Sequence, residues 1–588
     1  MSDDSSRSGP GLGRDCLFED RTPSRCPTAA PTTIDPPPQA LVRYGYKRCT
    51  RRTYFIRLSS HPTPSGRFVD DGHVSLRDCT PNELLTALKN VRDWVEKHQE
   101  KHSQNGPSVP FLSLDMAWTF SGLEALGLDP RLLRVFRRKS PAFAEGAWLR
   151  AAQHAGDTGP SDVKHWHAAY QAGQGDGVDL ILVAHFAAAA TSEGSPITAD
   201  TGLVTSFEAE LWRQLWRTPP HGFSLSSPMP APWIEDSHPR DWAGTVHFGY
   251  KDGITRPQFS AAGLQDQHTP FEKHAWGELL LGHPKNQNDN PYGHLDLPPA
   301  AISPDGLKWT GLSRKEEQEL HFFKNSSFAV FRKMQQKEDV FDAWVQQQAV
   351  KLCPNPADLD QWVIWVKAKV MGRMPVVSGH LYPHALPAGT RLTPEMKPEH
   401  LLDMRRASPS ADPSPLGHEG GFRHPSKPMT DDPLGLGCPF ASHIRRMNPK
   451  DDPVVPFTAR PLLRRGMTYQ EGTTPSEVGL SGLFICADIE TQFEHLVGRW
   501  ANHRVMGVVD GSNCRDPIIG QHQDDGLHFT IEGKAGASKL KLGELAEPFV
   551  ITRGCVYAWF PSKQTLDDLP RFLRNPKNLK PSGGGRLA

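Results

Sequence analysis

The spacing of apolar residues predicts a helix near the start of the chain, after a short β-prone segment, RTYFIRLSS, at which ordered structure is expected to begin. In the segment TPNELLTALKNVRDWVEK, Thr80 is the predicted N-cap, Pro81 takes the first helical position, and Glu83 completes a capping box. The apolar face of this helix is formed by Leu84, Leu88, Val91 and Val95. A three-to-four residue spacing of this kind is typical of an amphipathic helix packed on a core.

Apolar segments of strand length alternate with helical segments in both parts of the chain. In the first part, VPFLSLDMAWTF and VDLILVAHF are predicted strands, with SGLEALGL as a short helix between them. The second part gives SSFAVFRKM, SGLFICAD and PFVITRGCVYAWFP as strands, and KEDVFDAWVQQQAVKL and IETQFEHLVGRWA as helices. This rhythm predicts an α+β fold made of two ferredoxin-like halves. We expect each half to have an antiparallel sheet with peripheral helices on one face.

Composition divides the chain into two halves with tails and insertions. Residues 1–45 are rich in Ser, Pro and Gly and predict a flexible tail, and residues 571–588 predict another. The N-terminal half is predicted at 46–260 and the C-terminal half at 321–570. A long inserted loop is predicted at 261–320, and a Pro- and Gly-rich insertion at 385–437.

Charge and cysteine usage narrow the possible partners and compartment. Lys plus Arg and Asp plus Glu each number 66, so the neutral balance indicates neither nucleic acid nor an anionic membrane as a partner. The nine cysteines are scattered without a CxxC pair, which predicts neither a disulfide framework nor a zinc ribbon. With no evident signal peptide and no long apolar run, a cytoplasmic protein is expected.

Three polar residues stand in segments that suggest chemistry. In FGYKDGITRP, Asp252 lies between two glycines and beside cations, although it could simply close an Asx-type turn. In GCPFASHIRRMNPK, a short helix would present His443, which could equally be a surface residue, and the nearby Cys438 is another potential iron ligand. In RPLLRRGMTYQ, Arg464 follows two leucines toward the interior, or forms a surface basic pair with Arg465.

Together these three segments resemble the dye-decolourising (DyP-type) haem peroxidase family. GYKDG is similar to the family's GxxDG signature, CPFASHIRRMNP to its proximal-histidine segment, and LLRRGMTY to its distal-arginine segment, in the family's order. Further similarity lies in SPAFAEG, SGLFICADIETQFEHLVGRWAN, DPIIGQ and FVITRGCVYAWFPS, so the resemblance spans roughly residues 50 to 565. It implies two ferredoxin-like halves, with haem b held mainly by the C-terminal half.

The resemblance implies a role for each candidate residue. His443 would be the axial ligand of the haem iron, Asp252 the distal acid and base, and Arg464 the distal cation. The carboxylate that accepts the other imidazole proton is expected to be Asp516, with Glu490 as the second choice. One further residue, Trp500, is either an electron relay or a residue of the helix core.

The implied activity is reduction of hydrogen peroxide to water through a ferryl intermediate, with one-electron oxidation of organic reductants such as dyes and phenols. A carboxyl base, with a reference pKa of about 4, predicts an acidic optimum for dye oxidation. The alternatives are a haem-binding or haem-handling protein with little turnover, and a scaffold that has lost haem. The oligomeric state stays open, and a homo-oligomer is possible.

Overall fold

The structure is a computed structural model. It describes residues 20–21, 38–43, 45–46, 49–58, 80–105, 110–167, 170, 177–188, 199–215, 233–240, 245–250, 257–260, 273–283, 285, 311–353, 355–373, 375–377, 380–381, 438–448, 460–472, 476–503, 515–522, 528–531, 540–545 and 547–574.

Strands from both halves of the chain meet in one antiparallel sheet. The strands are β1 Asp20–Arg21, β2 Gly45–Tyr46, β3 Thr50–Ile56, β4 Phe111–Trp118, β5 Leu180–Ala187, β6 Trp233–Ser237, β7 Gln258–Ser260, β8 Lys273–Ala275, β9 Ser327–Gln336, β10 Val376–Val377, β11 His380–Leu381, β12 Leu463–Arg464, β13 Met467–Glu471, β14 Glu477–Cys486, β15 His528–Ile531, β16 Leu540–Glu544 and β17 Val550–Phe560. Among the described residues the large sheet has the order β12-β14-β9-β17-β4-β5-β3-β6, with β13 also paired to β14.

Helices cover this sheet. The α-helices are Ala40–Arg43, Pro81–Asn105, Phe120–Ala125, Pro130–Lys139, Pro141–Glu145, Ala147–Arg150, Thr201–Leu215, Arg314–Phe323, Glu338–Leu352, Leu359–Met371, His443–Met447 and Lys563–Asp568. Short 3₁₀ turns lie at Gly159–Ser161, Val163–His165, Trp276–Glu278, Pro356–Asp358 and Leu569–Phe572. In the part of the chain that the structure describes, no helix combines the length and the apolar character that crossing a bilayer would need.

The two halves join at two seams. At the first, β4 pairs with β17 through Trp118 and Trp559, and the ring of Phe322 stacks on Trp559 at 4.8 Å. At the second, the backbone N–H of His238, just after β6, donates to the carbonyl oxygen of Thr468 on β13 at 2.9 Å. The sheet therefore curls into a barrel whose inner face is shared by both halves.

The sequence patterns account for most of these elements. The α+β class with an antiparallel sheet is confirmed, and so is the capping box, in which Thr80 N–H donates to Glu83 Oε2 at 2.9 Å. The helix that begins at Pro81 extends beyond its predicted segment, to Asn105. The proposed domain boundaries stay predictions.

One predicted α-helix has a different geometry. The segment Ile489–Trp500 is a π-helix, and just beyond it Ala501 N–H donates to Leu496 O, five residues earlier, at 2.9 Å. Val497, on this helix, is half-buried and packs against the core.

Candidate active site

His443 begins a short helix and is oriented by a buried carboxylate. Its Nδ1 atom lies 2.9 Å from Oδ2 and 3.2 Å from Oδ1 of Asp516. The preceding turn is closed by Ser442 N–H, which donates to Pro439 O at 2.9 Å. Because Nδ1 is engaged by a carboxylate, Nε2 is the ring nitrogen left to face a ligand.

Asp516 is fixed by the backbone as well as by His443. It has no solvent exposure, and its Oδ1 accepts from the backbone N–H groups of Ile518 at 2.8 Å and Ile519 at 3.0 Å. Burial by itself would raise the pKa of this carboxyl, but His443, the Ile519 N–H and Arg446 together bring the pKa below its ordinary value. Asp516 is therefore an anion at neutral pH, and it holds the Nδ1 proton of His443.

His443 opens onto a mainly apolar cavity of about 320 Å³, a size typical of small-molecule sites. The strands contribute Arg332, Met334, Gln336, Arg464, Leu480, Gly482, Phe484, Val550 and Thr552 to its wall, and Gly466 joins them from the link between β12 and β13. Helices and turns contribute His443, Ile444, Met447, Phe493, Leu496, Val497, Trp500, Ile518, Ile519 and Gln521. The cavity thus lies between the sheet and the helices of the C-terminal half.

Arg464 reaches the same cavity from the sheet. It pairs with Phe484 in the β12–β14 ladder, and its exposed side chain lines the cavity wall. Two residues further, Gly466 also lines the cavity, and a Cβ there would lie 3.1 Å from the Cα of Gly482 on β14. Because neither glycine has a side chain, this part of the wall is flat. The guanidinium of Arg464 lies beside it.

Asp252 lies outside the described residues, but the chain on both sides of it lines the cavity. Phe248 and Tyr250 precede it and Pro257 follows it, and all three belong to the cavity wall. The turn before it requires Gly249, whose φ is +84° and whose N–H donates to Val246 O at 2.8 Å.

Comparisons with known proteins show what this chain is similar to. Residues 75–202 match the model of the DyP dimeric alpha+beta barrel domain. A dye-decolorizing peroxidase of Mycetinis scorodonius is 23% identical over 479 residues, covering 78% of this chain and 76% of that protein. One from Exidia glandulosa is 26% identical over 348 residues, covering 55% of each.

Solved structures agree in fold. A dye-decolorizing peroxidase in complex with 2,6-dimethoxyphenol superposes with a TM-score of 0.56 at 18% identity, covering 91% of this chain and 99% of that one. A DyP-type peroxidase of Anabaena gives 0.54 at 15% identity, covering 89% and 91%. This chain is therefore similar to dye-decolourising peroxidases in sequence and shares their fold.

Dye-decolourising peroxidases are haem enzymes, and the residues that line this cavity fit such a group. A porphyrin needs a flat apolar slot, an imidazole nitrogen for the iron and polar partners for its carboxylates. The paired glycines and His443 meet the first two needs. For the third, the Nε–H donor of Arg460 is buried in the cavity wall and has no hydrogen-bond partner within the described segments.

Glu490, the second candidate for the proximal carboxylate, contacts a different partner. Its Oε1 accepts from Arg150 Nη2 at 3.0 Å, and the same guanidinium donates to Glu494 at 2.7 Å. This ion-pair group ties the helix Ala147–Arg150 to the π-helix. The structure therefore brings Asp516, and not Glu490, to His443. Glu490 belongs to the ion-pair group around Arg150.

Trp500 lines the cavity but is only 6% exposed. Its ring packs edge-on against His495 with the centroids 5.5 Å apart, and its carbonyl oxygen accepts from Arg446 Nε at 2.6 Å. Trp500 is therefore both a core residue of its helix and part of the cavity wall. Arg446 itself is buried, not at the surface.

The sequence analysis missed a buried ion pair in the cavity wall. Arg332 on β9 lines the cavity, and its Nη1 donates to Asp157 Oδ2 at 2.8 Å, while Thr552 Oγ1 donates to Asp157 Oδ1 at 2.7 Å. Burial raises the pKa of Asp157, although Arg332 opposes the shift. The signal was an arginine inside the apolar strand SSFAVFRKM, which needs a buried partner.

A second group of ligand-type residues lies on the barrel. His167, Glu471 and Glu477 bring their side-chain atoms within 4.8 Å of one another. Tyr469 donates to Glu477 at 2.7 Å, and Arg553 lies 3.4 Å from the same carboxylate. These contacts already satisfy the acid, so the group is an ion-pair network of the barrel.

Proposed function

We propose that this chain is a haem b peroxidase that reduces hydrogen peroxide to water and oxidises organic reductants, such as dyes and phenols, in one-electron steps. The observation that supports it is the convergence of His443 and Arg464 on one apolar cavity, with His443 held by an anionic carboxylate. The similarity of the chain to dye-decolourising peroxidases supports the same chemistry.

On the helix side, His443 would bind the iron through Nε2. Bound haem would supply the iron at which peroxide is reduced and the oxidising equivalents passed to the reductant. Asp516 makes the imidazole a stronger electron donor because it draws the Nδ1 proton toward a buried anion. Asp516 thereby increases the electron donation of the His443 ligand. The backbone N–H groups of Ile518 and Ile519 keep the carboxylate in place.

Asp252 and Arg464 would act on peroxide. The Asp252 carboxylate would take the proton from the peroxide oxygen that is bound and return it to the oxygen that leaves as water. Arg464 would stabilise the peroxide anion and the charge that grows on the leaving oxygen, an effect of about 3 kcal/mol for a preorganised donor. Trp500 would pass electrons inward from a reductant too large for the cavity.

One spectroscopic experiment tests this function. The purified protein, supplied with haem, is expected to show a Soret band that changes on addition of one equivalent of peroxide and returns on addition of a phenol. His443→Ala should remove or strongly perturb the Soret band, whereas Glu490→Gln should leave it unchanged.

The role of Asp252 has its own readout. Asp252→Asn should keep the resting spectrum while the first reaction with peroxide slows by about 10²-fold or more in stopped flow. A normal rate would remove Asp252 from the mechanism. A stable Soret band in the unsubstituted chain, with no peroxide consumption, would instead indicate a haem-binding protein without turnover.

A further inference from the structure

Arg464 and Arg465 are adjacent in sequence but face opposite sides of the sheet. Arg464 pairs with Phe484, and both side chains line the cavity. Gly466 and Gly482 line it as well. Strand geometry then directs Arg465 to the inner face of the barrel. The two arginines are therefore not a surface basic pair.

The backbone of Arg465 is held from across the barrel by a buried arginine of the N-terminal half. Arg51 on β3 is 1% exposed, and its Nη1 donates to the carbonyl oxygen of Arg465 at 2.9 Å. Its Nη2 donates to Ser481 O on β14 at 2.7 Å, and its Nε to Ser237 Oγ on β6 at 3.1 Å. One guanidinium thus joins three strands, including the strand segment that carries Arg464.

The side chain of Arg465 makes a second connection. Its Nε donates to Leu41 O at 3.0 Å, and Leu41 N–H donates in turn to Asp115 Oδ1 at 2.9 Å. Beside it, Gln39 Nε2 donates to Met116 O at 2.7 Å, and Met116 N–H donates back to Gln39 Oε1 at 2.7 Å. The segment around Leu41 is consequently anchored to β4, and it anchors Arg465.

These contacts matter because β12 itself is short. It spans two residues, Leu463 and Arg464, and beyond it Arg465 N–H continues the ladder to Leu483 O at 2.7 Å. The catalytic arginine therefore stands at a sheet edge, where backbone position is weakly fixed by the ladder alone. A buried charged hydrogen bond to the next carbonyl limits that movement.

We propose that Arg51 and Arg465 are positioning residues for Arg464, and that the buried segment Gln39–Val42 is part of the same support. This inference depends on the proposed function, since it concerns how the distal cation is held. It assigns to the N-terminal half a direct influence on the peroxide side of the cavity.

Fluoride binding to the ferric haem protein tests the proposal, because a bound anion reports the position of the Arg464 donor without turnover. Arg464→Ala should weaken fluoride binding about 10- to 100-fold, as loss of a charged hydrogen bond predicts. Arg465→Met and Arg51→Met should each weaken it about 3- to 10-fold. In the Arg464→Ala background, Arg465→Met should have no further effect.

Arg52→Met is the matched control. Arg52 adjoins Arg51 on β3, but its guanidinium pairs with Asp236 at 2.6 Å and Glu208 at 2.8 Å on the other face of the strand. It should leave fluoride affinity unchanged. If Arg51→Met fails to fold, the two single variants Arg464→Ala and Arg465→Met and their double variant still test whether Arg465 positions Arg464.

The possible failures are distinguishable. If Arg464→Ala leaves fluoride affinity unchanged, the proposed role of Arg464 is wrong, and the inference is wrong with it. If Arg464→Ala weakens fluoride binding while Arg465→Met does not, or if the two effects add fully, the positioning role alone is refuted.

Discussion

The Nδ1 atom of His443 and the Oδ2 atom of Asp516 are 2.9 Å apart, although the two residues are separated by 73 positions in sequence. The carboxylate has no exposure to solvent, and its Oδ1 also accepts two backbone N–H donors. A contact so buried and so fully hydrogen-bonded fixes both the orientation of the imidazole and the nitrogen that carries its proton.

Asp516→Asn should change the electronic character of the haem site while the fold persists. The amide replaces the anionic acceptor of His443 with a neutral one, so the ring becomes a weaker electron donor. We expect a more positive Fe(III)/Fe(II) potential and activity lower by about 10- to 100-fold. Spectroelectrochemical titration measures the potential, and Glu490→Gln is the matched control. An unchanged potential would contradict the role of Asp516.

Replacement of Arg464 should affect the chemical step more than peroxide capture. Arg464→Ala removes the cation beside the flat part of the cavity wall, and we expect kcat to fall by about 10²- to 10³-fold. Arg553→Lys is a suitable control, because Arg553 bonds Gln335 on the barrel and does not line the cavity. A loss confined to KM would show that Arg464 only binds peroxide.

Local patterns predicted the elements but not their pairing. The helix after Thr80 and the strand carrying Trp118 followed from periodicity and capping, which depend on nearby residues. The β4–β17 seam through Trp118 and Trp559 depends on residues more than 400 positions apart, for which periodicity carries no information. The single curled sheet therefore became visible only in the structure.

In the site, too, the sequence predicted individual residues but not the contacts between distant segments. The motifs selected His443, Arg464 and Asp516, because each stands in a segment with its own signature. They ranked Asp516 above Glu490 as the partner of His443 but could not exclude Glu490, since the choice depends on which carboxylate the fold brings to that ring. Nor could they show that Arg465 faces away from Arg464, because that depends on the two residues being in extended backbone paired with β14.

Gly482→Val should obstruct the cofactor cavity. A Cβ at this position would lie 2.7 Å from the Phe484 ring and 2.9 Å from the carbonyl oxygen of Arg332, so the wall could not remain flat. We expect a lower haem content per chain, measured as the ratio of Soret to protein absorbance after reconstitution. Leu480→Val removes volume from the same wall and should bind haem normally. Full occupancy in Gly482→Val would place the porphyrin elsewhere.

Asp115 gives the fold a predictable dependence on pH. This carboxyl is fully buried, and burial raises its pKa to about 7, although Leu41 N–H, Lys563 and Arg465 oppose the shift. Its Oδ2 has no hydrogen-bond partner in the described segments. Between pH 5 and 7 the folded chain holds a proton that the unfolded chain has already lost, so stability must fall as pH rises through this window.

Asp115→Asn should remove that term, because an amide can still accept from Leu41 N–H but does not ionise. The free energy of unfolding of the variant relative to the unsubstituted chain should therefore rise by about 2 kcal/mol from pH 5 to pH 7. Urea unfolding of both proteins at the two pH values measures this difference, and the subtraction cancels other titrating groups. A difference independent of pH would mean that Asp115 is ionised in the fold throughout, and that the cations near Leu41 outweigh its burial.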